Sequence, residues 1–455
     1  MRYTGAEIAT ASQGRLLREG PAGPIVTDSR ALRAGDWFLA LVGDRFDGHA
    51  FLGTARAAGC AGVIVSGEPP AEWDRGLVRV DDTLVALQAV AAASRGSFGG
   101  PVVGITGSVG KTTTRALTVL AIAAGERLHH TQGNLNNHIG LPLTLLARPE
   151  DATLLVLELG MNAPGEIALL QRICRPTVRI ITNVAAAHLE GLGTIEGVAL
   201  AKGELFDGAR PGDTVCVAQD DPRVAALPVP RGVRVIRYGR SRGCDVRLID
   251  ASLDAAGLEV QVCFTLSVGG RTVHGTIPAP GLYMAANACA AVAVAVALGK
   301  DPATAAAALA QYAPVGARMA LEDGPGGIRV LNDAYNANPA SMTAALETLC
   351  ALPAPRRLAL LGDMLELGPT EIALHRKLLE QAVGLDLAVV GACGPRMMRA
   401  SEGLAAGNGL VVAPDAESLA LLLAPRLQAG DLVLLKGSRG MAMERILRTL
   451  RHGQH

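Results

Sequence analysis

The sequence has little that marks a polyanion-binding, membrane-spanning or disulfide-stabilised protein. Its 42 lysines and arginines balance 42 aspartates and glutamates, so no net positive field exists to hold nucleic acid or an anionic membrane surface. Small-molecule partners are expected instead, and no nucleic acid. The opening residues, MRYTGAEIATASQG, lack the apolar centre of a signal peptide. The longest apolar run, ACAAVAVAVALG from Ala288, is too short to span a bilayer. A cytoplasmic location without membrane insertion is therefore expected. Eight cysteines (Cys60, Cys174, Cys216, Cys244, Cys263, Cys289, Cys350, Cys393) are scattered without a CxxC pair, and most adjoin apolar residues. They read as reduced packing residues. No repeat of fixed period and no low-complexity tail is present. Lysine is scarce, five in 455 residues, which gives weight to where each one stands.

What is there is apolar surface: 49% of the residues are hydrophobic. Single cores rarely grow beyond ~250 to 300 residues, so a chain of this length should divide into several. Residues 1–96 mix short apolar runs (WFLALVG, AGVIVSG, GLVRV) with turns and end on an Ala-rich segment and the linker-like GSFGG. Residues 97–312 alternate buried-strand runs (PVVGIT, ATLLVLELG, VRIITNV, DTVCVAQ, VRVIRYG) with helix-like segments, the pattern of a mostly parallel sheet covered by helices. After Cys244 the period shifts toward two, which predicts antiparallel strands around Gly269-Gly270 as an appendage of the same domain. Residues 313–455 repeat the strand and helix rhythm (GIRVLNDAY, RLALLGDM, DLAVVGA, GLVVAP, DLVLLKGS) and predict a separate doubly wound domain. The fold class expected is α/β in three domains: a small α/β unit, a central P-loop unit with its antiparallel appendage, and a Rossmann-like unit.

The stretch GITGSVGKTTT places Thr106, Gly107, Ser108, Gly110, Lys111, Thr112 and Thr113 between a strand and a helix. The glycines let backbone N–H groups turn inward, and the following helix offers its positive end to anionic oxygens. Lys111 would neutralise the β- and γ-phosphates, and the Thr112 hydroxyl is placed to ligate Mg²⁺. The pattern departs from G-x-x-x-x-G-K-[ST], since Ile105 stands where the first glycine would be. Three more polar residues end apolar runs, where ligands gather in open α/β sheets. Glu158 closes a buried strand and needs a cation partner, either a structural salt bridge or a Mg²⁺ ion. His188 follows another strand end, and Lys202 lies on a helical segment among small and apolar neighbours. Taken singly, these two read as a core histidine and a solvated lysine. On the loop alone, a kinase, a nucleotide-dependent switch and a ligase all remain open.

Taken together, TGSVGKTTT, Glu158, TNVAAAHLEGLG and AKGELF resemble the Mur ligase family, cytoplasmic ATP-dependent amide-forming enzymes of bacterial peptidoglycan synthesis. The resemblance extends to TDSRALRAGDWFLALVGDRFDGHAF, GNLNNHIGLP, LNDAYNANPASM, LGDMLELG and LKGSRGMAME, nearly the whole chain in order. It is closest to the branch that adds the terminal D-alanyl-D-alanine dipeptide to UDP-N-acetylmuramoyl-tripeptide. The Asp-Asn-Pro-Arg signature of the sibling that adds a diamino acid is absent. Folylpolyglutamate synthetases share the loop and the ligation chemistry but not the DSR and DGH elements. The resemblance implies an acyl phosphate made from ATP and two Mg²⁺ ions. Thr112 and Glu158 would serve one ion and His188 the second, and Lys202 would be carbamylated by CO₂ so that it can approach a metal. It further implies that Asn287 contacts adenine, Arg318 a phosphate and Asp333 the ribose. Two departures stand on that side: Tyr283 occupies the place of a usual histidine, offering a ring that could stack on a base, and the usual adjacent Gly-Arg is split as Gly316-Ala317-Arg318. A solvated surface arginine is the plain alternative for Arg318. On the uridine side the candidates are Ser29, Arg30, Asp47 and His49 with the GDRFDGHAF turn, while Asp28 should hold its own turn because a phosphate would repel it. Asn134, Asn136 and Asn137 are candidates for the sugar or peptide, with an Asx-turn cluster as the alternative. Tyr335, Asn336, Asn338 and the segments around Asp363 and Ser438 are candidates for the dipeptide. His375 and Trp73 read as structural, and the chain is expected to act as a monomer.

Overall fold

The computed structural model describes residues 1–43, 46–68, 73–256, 259–314, 316–404 and 409–452. In it the alternation read from the sequence becomes three large sheets in chain order, beside a two-stranded pair of Val42–Gly43 with Phe46–Asp47. The first has five strands in the order Arg15–Arg18, Gly76–Arg79, Gly62–Val65, Trp37–Leu39, Ile25–Val26, with only the first antiparallel to its neighbour. The helix Thr83–Gly96 begins where the Asp82 carboxylate accepts from the N–H groups of Leu84 and Val85, an N-cap that satisfies donors the helix itself cannot. Leu87, Val90 and Ala91 on this helix are buried, and it packs against both the N-terminal helix Gly5–Ser12 and the helices Gly140–Leu146 and Glu166–Cys174 of the next unit.

The second sheet has nine strands. Leu128–His130, Leu154–Glu158, Val102–Thr106, Val178–Ile181, Thr214–Ala218 and Arg234–Gly239 are adjacent and parallel. The inner four, Leu154–Glu158, Val102–Thr106, Val178–Ile181 and Thr214–Ala218, are buried at every position because helices cover both faces. Val246–Ala256 joins in parallel at Tyr238↔Val246, then pairs antiparallel with Glu259–Val268, which pairs with Arg271–Ile277 across the Gly269-Gly270 turn. The expected appendage thus continues the central sheet. The run from Ala288 forms the helix Met284–Ala297, buried over nearly its whole length and packed against the helix Lys111–Ile122 and the strands around it. A helix apolar on all sides is enclosed on all sides. Among the described residues no helix is long and apolar enough to cross a membrane.

The third sheet has the order Ala320–Asp323, Arg329–Asp333, Leu432–Lys436, Arg357–Gly362, Val389–Cys393, Leu410–Ala413, parallel except for its first strand. Two apolar clusters cover its two faces. By contrast, one continuous cluster runs from Tyr3 and Ile8 in the first unit through the central sheet to Leu309 and Tyr312. The third unit touches the second through Val260 of the antiparallel strands, which joins the cluster of Met319 and Leu331. The short strands at Arg15–Arg18, Leu128–His130 and Ala320–Asp323 were not expected from the sequence; RLLR is exposed throughout and ALED has no fully buried position, so neither carries a core-facing pattern.

Candidate active site

The strand Val102–Thr106 ends in the glycine-rich loop, and Gly110 opens the helix Lys111–Ile122 with φ 81°. A Cβ at Gly110 would lie 2.9 Å from Asn287 Oδ1, and one at Gly107 would lie 1.9 Å from Thr182 Oγ1. Both glycines are therefore required by close approach, and at Gly110 also by a left-handed backbone. The neighbouring strand end holds the loop in shape: Ser108 N donates to Asn183 O, Val109 N to Asn183 Oδ1, and Thr182 Oγ1 and Asn183 Nδ2 both donate to Val109 O. Thr106 Oγ1 donates to Leu159 O and so ties the loop's base to the strand carrying Glu158. Lys111 Nζ reaches back to Gly107 O at 2.6 Å, across the loop. Burial lowers its pKa, with Glu158 opposing and Arg318 adding to the shift.

Glu158 is 2% exposed. Its Oε2 accepts from Thr112 Oγ1 at 2.9 Å, its Oε1 from Asn136 Nδ2 at 2.8 Å, and Arg115 Nε lies 3.7 Å from Oε2. The cation partner anticipated for this carboxylate includes an arginine the sequence reading passed over, one helical turn after Lys111. Arg115 is itself buried, and its Nε and Nη1 make no hydrogen bond. A hydroxyl and a carboxylate side by side fit Mg²⁺, which takes one or two protein oxygens and completes its shell with phosphate and water. Among the described residues no group of three or more His, Cys, Asp or Glu is placed to hold an ion.

Lys202 lies on the helix Ile195–Asp207 and is 1% exposed. Burial, with the positive charge of Lys111 adding to it, holds its pKa well below the usual lysine value. His188 caps the short helix Leu189–Leu192 with φ 55°, and its Nδ1 lies 2.6 Å from Glu366 Oε2 of the third unit.

A cleft of about 540 Å³ opens between the second and third sheets. Of the residues singled out from the sequence, it is lined by Ser108, Gly110, Lys111, Thr112, Thr113, Asn134, Asn136, Asn137, Glu158, His188, Asn287, Arg318, Asp333, Tyr335, Asn336 and Asn338. Arg318 is not a free surface arginine: its guanidinium stacks 3.7 Å from the centroid of the Tyr335 ring. Asp333 accepts from Met319 N and from Lys436 Nζ, the latter at 2.5 Å, and Lys436 also donates to Asn336 O. Lys436, the last of the five lysines, is buried and lines the cleft, and its place at a strand end could have flagged it. Asn287 is buried against Gly110 and accepts from Thr114 Oγ1. Two asparagines are taken up locally. Asn137 Oδ1 accepts from Ile139 N and Gly140 N, which is the Asx-turn alternative, and Asn338 caps the helix Pro339–Ala351 in a box with Ser341.

The uridine-side candidates do not line this cleft. Arg30 forks onto Asp28, which also accepts from Arg30 N, and this hydrogen bonding lowers the Asp28 carboxyl to about 2. Ser29 sits in that turn. His49 Nε2 accepts from Ser66 N and Gly67 N while Nδ1 faces Asp47 at 2.6 Å, so the pair pins the turn to the first sheet. Asp44 and Arg45 of the same turn lie outside the described residues. Asp363 and His375 are fully buried: Asp363 accepts from Arg396 N and Met397 N at a helix start, and His375 Nε2 accepts from Met364 N. Trp73 is buried, its indole N–H donating to Gly76 O. Ser438 Oγ accepts from Leu365 N.

Residues 105–295 match the family model for the Mur ligase middle domain, and residues 317–439 that for the Mur ligase glutamate ligase domain. The chain is 37% identical to the UDP-N-acetylmuramoyl-tripeptide–D-alanyl-D-alanine ligase of Bacillus subtilis (strain 168), over 94% of this chain and 92% of that one. Its fold is similar to MurF from Acinetobacter baumannii, with a TM-score of 0.91, 30% identity and 99% of both chains covered. It is similar also to MurF from Thermotoga maritima in complex with ADP, with a TM-score of 0.83, 29% identity and coverage of 94% and 97%. Likeness of this extent, running through all three sheets and the cleft between two of them, means that the chain belongs to the Mur ligase family.

Proposed function

We infer that the chain uses ATP to join D-alanyl-D-alanine to UDP-N-acetylmuramoyl-tripeptide, giving the UDP-N-acetylmuramoyl-pentapeptide of peptidoglycan synthesis, as a monomer in the cytoplasm. The observation that carries this reading is the meeting of the phosphate loop, Glu158 and His188 with Arg318, Asp333 and Lys436 around one cleft, in a chain whose relative of that name matches it over nearly its full length. In this reading residues 1–96 hold the UDP end of the precursor, 97–312 hold the phosphates, and 313–455 hold the nucleoside and the incoming dipeptide.

A carboxylate is a poor electrophile, so the peptide carboxylate first takes the γ-phosphoryl group of ATP, releasing ADP. The dipeptide amine then attacks the acyl phosphate, and the tetrahedral adduct expels phosphate as the amide forms and the amine gives up its proton. Negative charge gathers on the transferring phosphoryl oxygens, so fixed cations and oriented N–H groups matter most. The N–H groups of the 106–113 loop and Lys111 receive the phosphates, with Arg318 on a phosphate oxygen, Asp333 at the ribose and Asn287 on the adenine side. Thr112 and Glu158 would hold one Mg²⁺, and His188 with a carbamylated Lys202 the second. Bound there, Mg²⁺ neutralises the phosphate oxygens and lowers the barrier to their approach by the carboxylate. Ser29, Arg30, Asp47 and His49 form the uridine end, Asn134 and Asn136 face the sugar and peptide, and Tyr335 and Asn336 face the dipeptide, while Asn137 and Asn338 shape the turn and helix start beside them.

The test is phosphate release from ATP with UDP-N-acetylmuramoyl-tripeptide, with and without D-alanyl-D-alanine. Release should depend on the dipeptide and yield a new amide by mass. Release that ignores the dipeptide, with a phosphorylated product, would point to a kinase.

A further inference from the structure

The contact between His188 and Glu366 joins two units at one edge of the cleft. Glu366 belongs to the segment after the strand Arg357–Gly362, whereas His188 follows Val178–Ile181 of the central sheet. Their side chains meet at 2.6 Å between Nδ1 and Oε2, and beside them Glu190 N donates to Glu366 O at 3.2 Å. Both residues hold left-handed backbone, φ 55° at His188 and 64° at Glu366. A non-glycine residue is disfavoured there, and local strain of this kind persists only where surrounding structure enforces it. The next turn docks as well, with the short helix Gly368–Thr370 against Leu189–Leu192.

The chemistry of the pair decides which nitrogen is free. A carboxylate has only acceptor oxygens, so the proton of the shared hydrogen bond sits on Nδ1, and in the neutral imidazole Nε2 then carries the lone pair. That is the tautomer a metal ligand needs, and carboxylates commonly orient ligating histidines in this way. We propose that Glu366 is a positioning residue, through which the third unit fixes the His188 imidazole with Nε2 bare and so completes the metal end of a cleft built mainly on the second. The proposal rests on the reading above that His188 holds a divalent cation.

Mn²⁺ binding to the full-length protein loaded with ADP, followed by electron paramagnetic resonance of the free ion, tests it without turnover. Glu366→Asn should weaken Mn²⁺ binding by about 10- to 100-fold, because asparagine tolerates the left-handed backbone but is too short to reach Nδ1. Glu366→Gln, whose amide oxygen can still accept from Nδ1–H, should recover most of that loss. Added to His188→Ala, Glu366→Asn should do nothing further. Circular dichroism of each variant checks that it is folded. Normal Mn²⁺ binding by folded Glu366→Asn beside weakened binding by His188→Ala would overturn the proposal and leave the metal reading standing. Normal binding by His188→Ala would overturn both.

Discussion

Lys202 carries a long apolar stem and a charge that burial disfavours. Burial and the nearby charge of Lys111 hold its pKa well below the usual value, so the neutral form is readily reached. A neutral amine can add to CO₂, and the carbamate so formed carries the negative charge that a metal, Lys111 and the surrounding cations favour. Lys202→Ala should lower turnover by roughly 10²-fold or more, the scale of losing one fixed charge contact in a reaction centre. A small carboxylic acid should restore part of it, and a variant with normal turnover would refute the carbamate. At Gly110, a methyl group meets both a left-handed backbone and Asn287 Oδ1 at 2.9 Å. Gly110→Ala should cost about 1–2 kcal/mol and weaken ADP binding by calorimetry; unchanged ADP affinity would mean the loop adapts. Lys111, Thr112 and Glu158 could be singled out because each sits in the loop motif or ends a strand, whereas Lys202, inside a helix, and His188 stood out only through the joint pattern of the family resemblance. Arg115 and Glu366 did not, since their meaning lies in partners 43 and 178 positions away, and one sequence carries no signal for such pairs.

Among the elements, the inner parallel strands of the second and third sheets could be read because burial on both faces writes an apolar run into them. The edge strands could not: their pairing comes from the neighbouring ladder and leaves no pattern in RLLR, LHH or ALED. The helix Met284–Ala297 shows how tightly the second unit is filled. Ala291 is fully buried on it, so Ala291→Leu should cost about 1–3 kcal/mol by overpacking, visible in chemical denaturation; a neutral result would mean an unfilled space beside it. The cysteines follow the same logic. Burial lifts Cys174, Cys216, Cys289 and Cys393 to about 12 and Cys60 to about 11, so their reactive thiolates are scarce at pH 8. A native thiol titration at that pH should reach Cys244, Cys263 and Cys350, which are half-buried, and the five buried thiols only after unfolding.

The molecule as a whole is two bodies of packing with a cleft between them. The first two units share one apolar cluster, and the third has its own on each face. Lys111 of the second unit and Asp333 of the third both line that cleft, so in the proposed reading a bound nucleotide would tie the bodies together. ADP at about 100 times its Kd should raise stability by about 2.7 kcal/mol and draw thermal unfolding toward a single step; separate transitions that ignore ADP would show that it binds one body alone. The shared cluster also bears on how the chain is made. Because Leu87 and Val90 are covered partly by helices as late as Glu166–Cys174, the first 96 residues leave the ribosome with part of their apolar surface still waiting for sequence not yet translated. Only after Cys174 emerges are those helices available, so the nascent first unit is a natural client for chaperones, while the last 143 residues fold afterwards around clusters that are almost wholly their own.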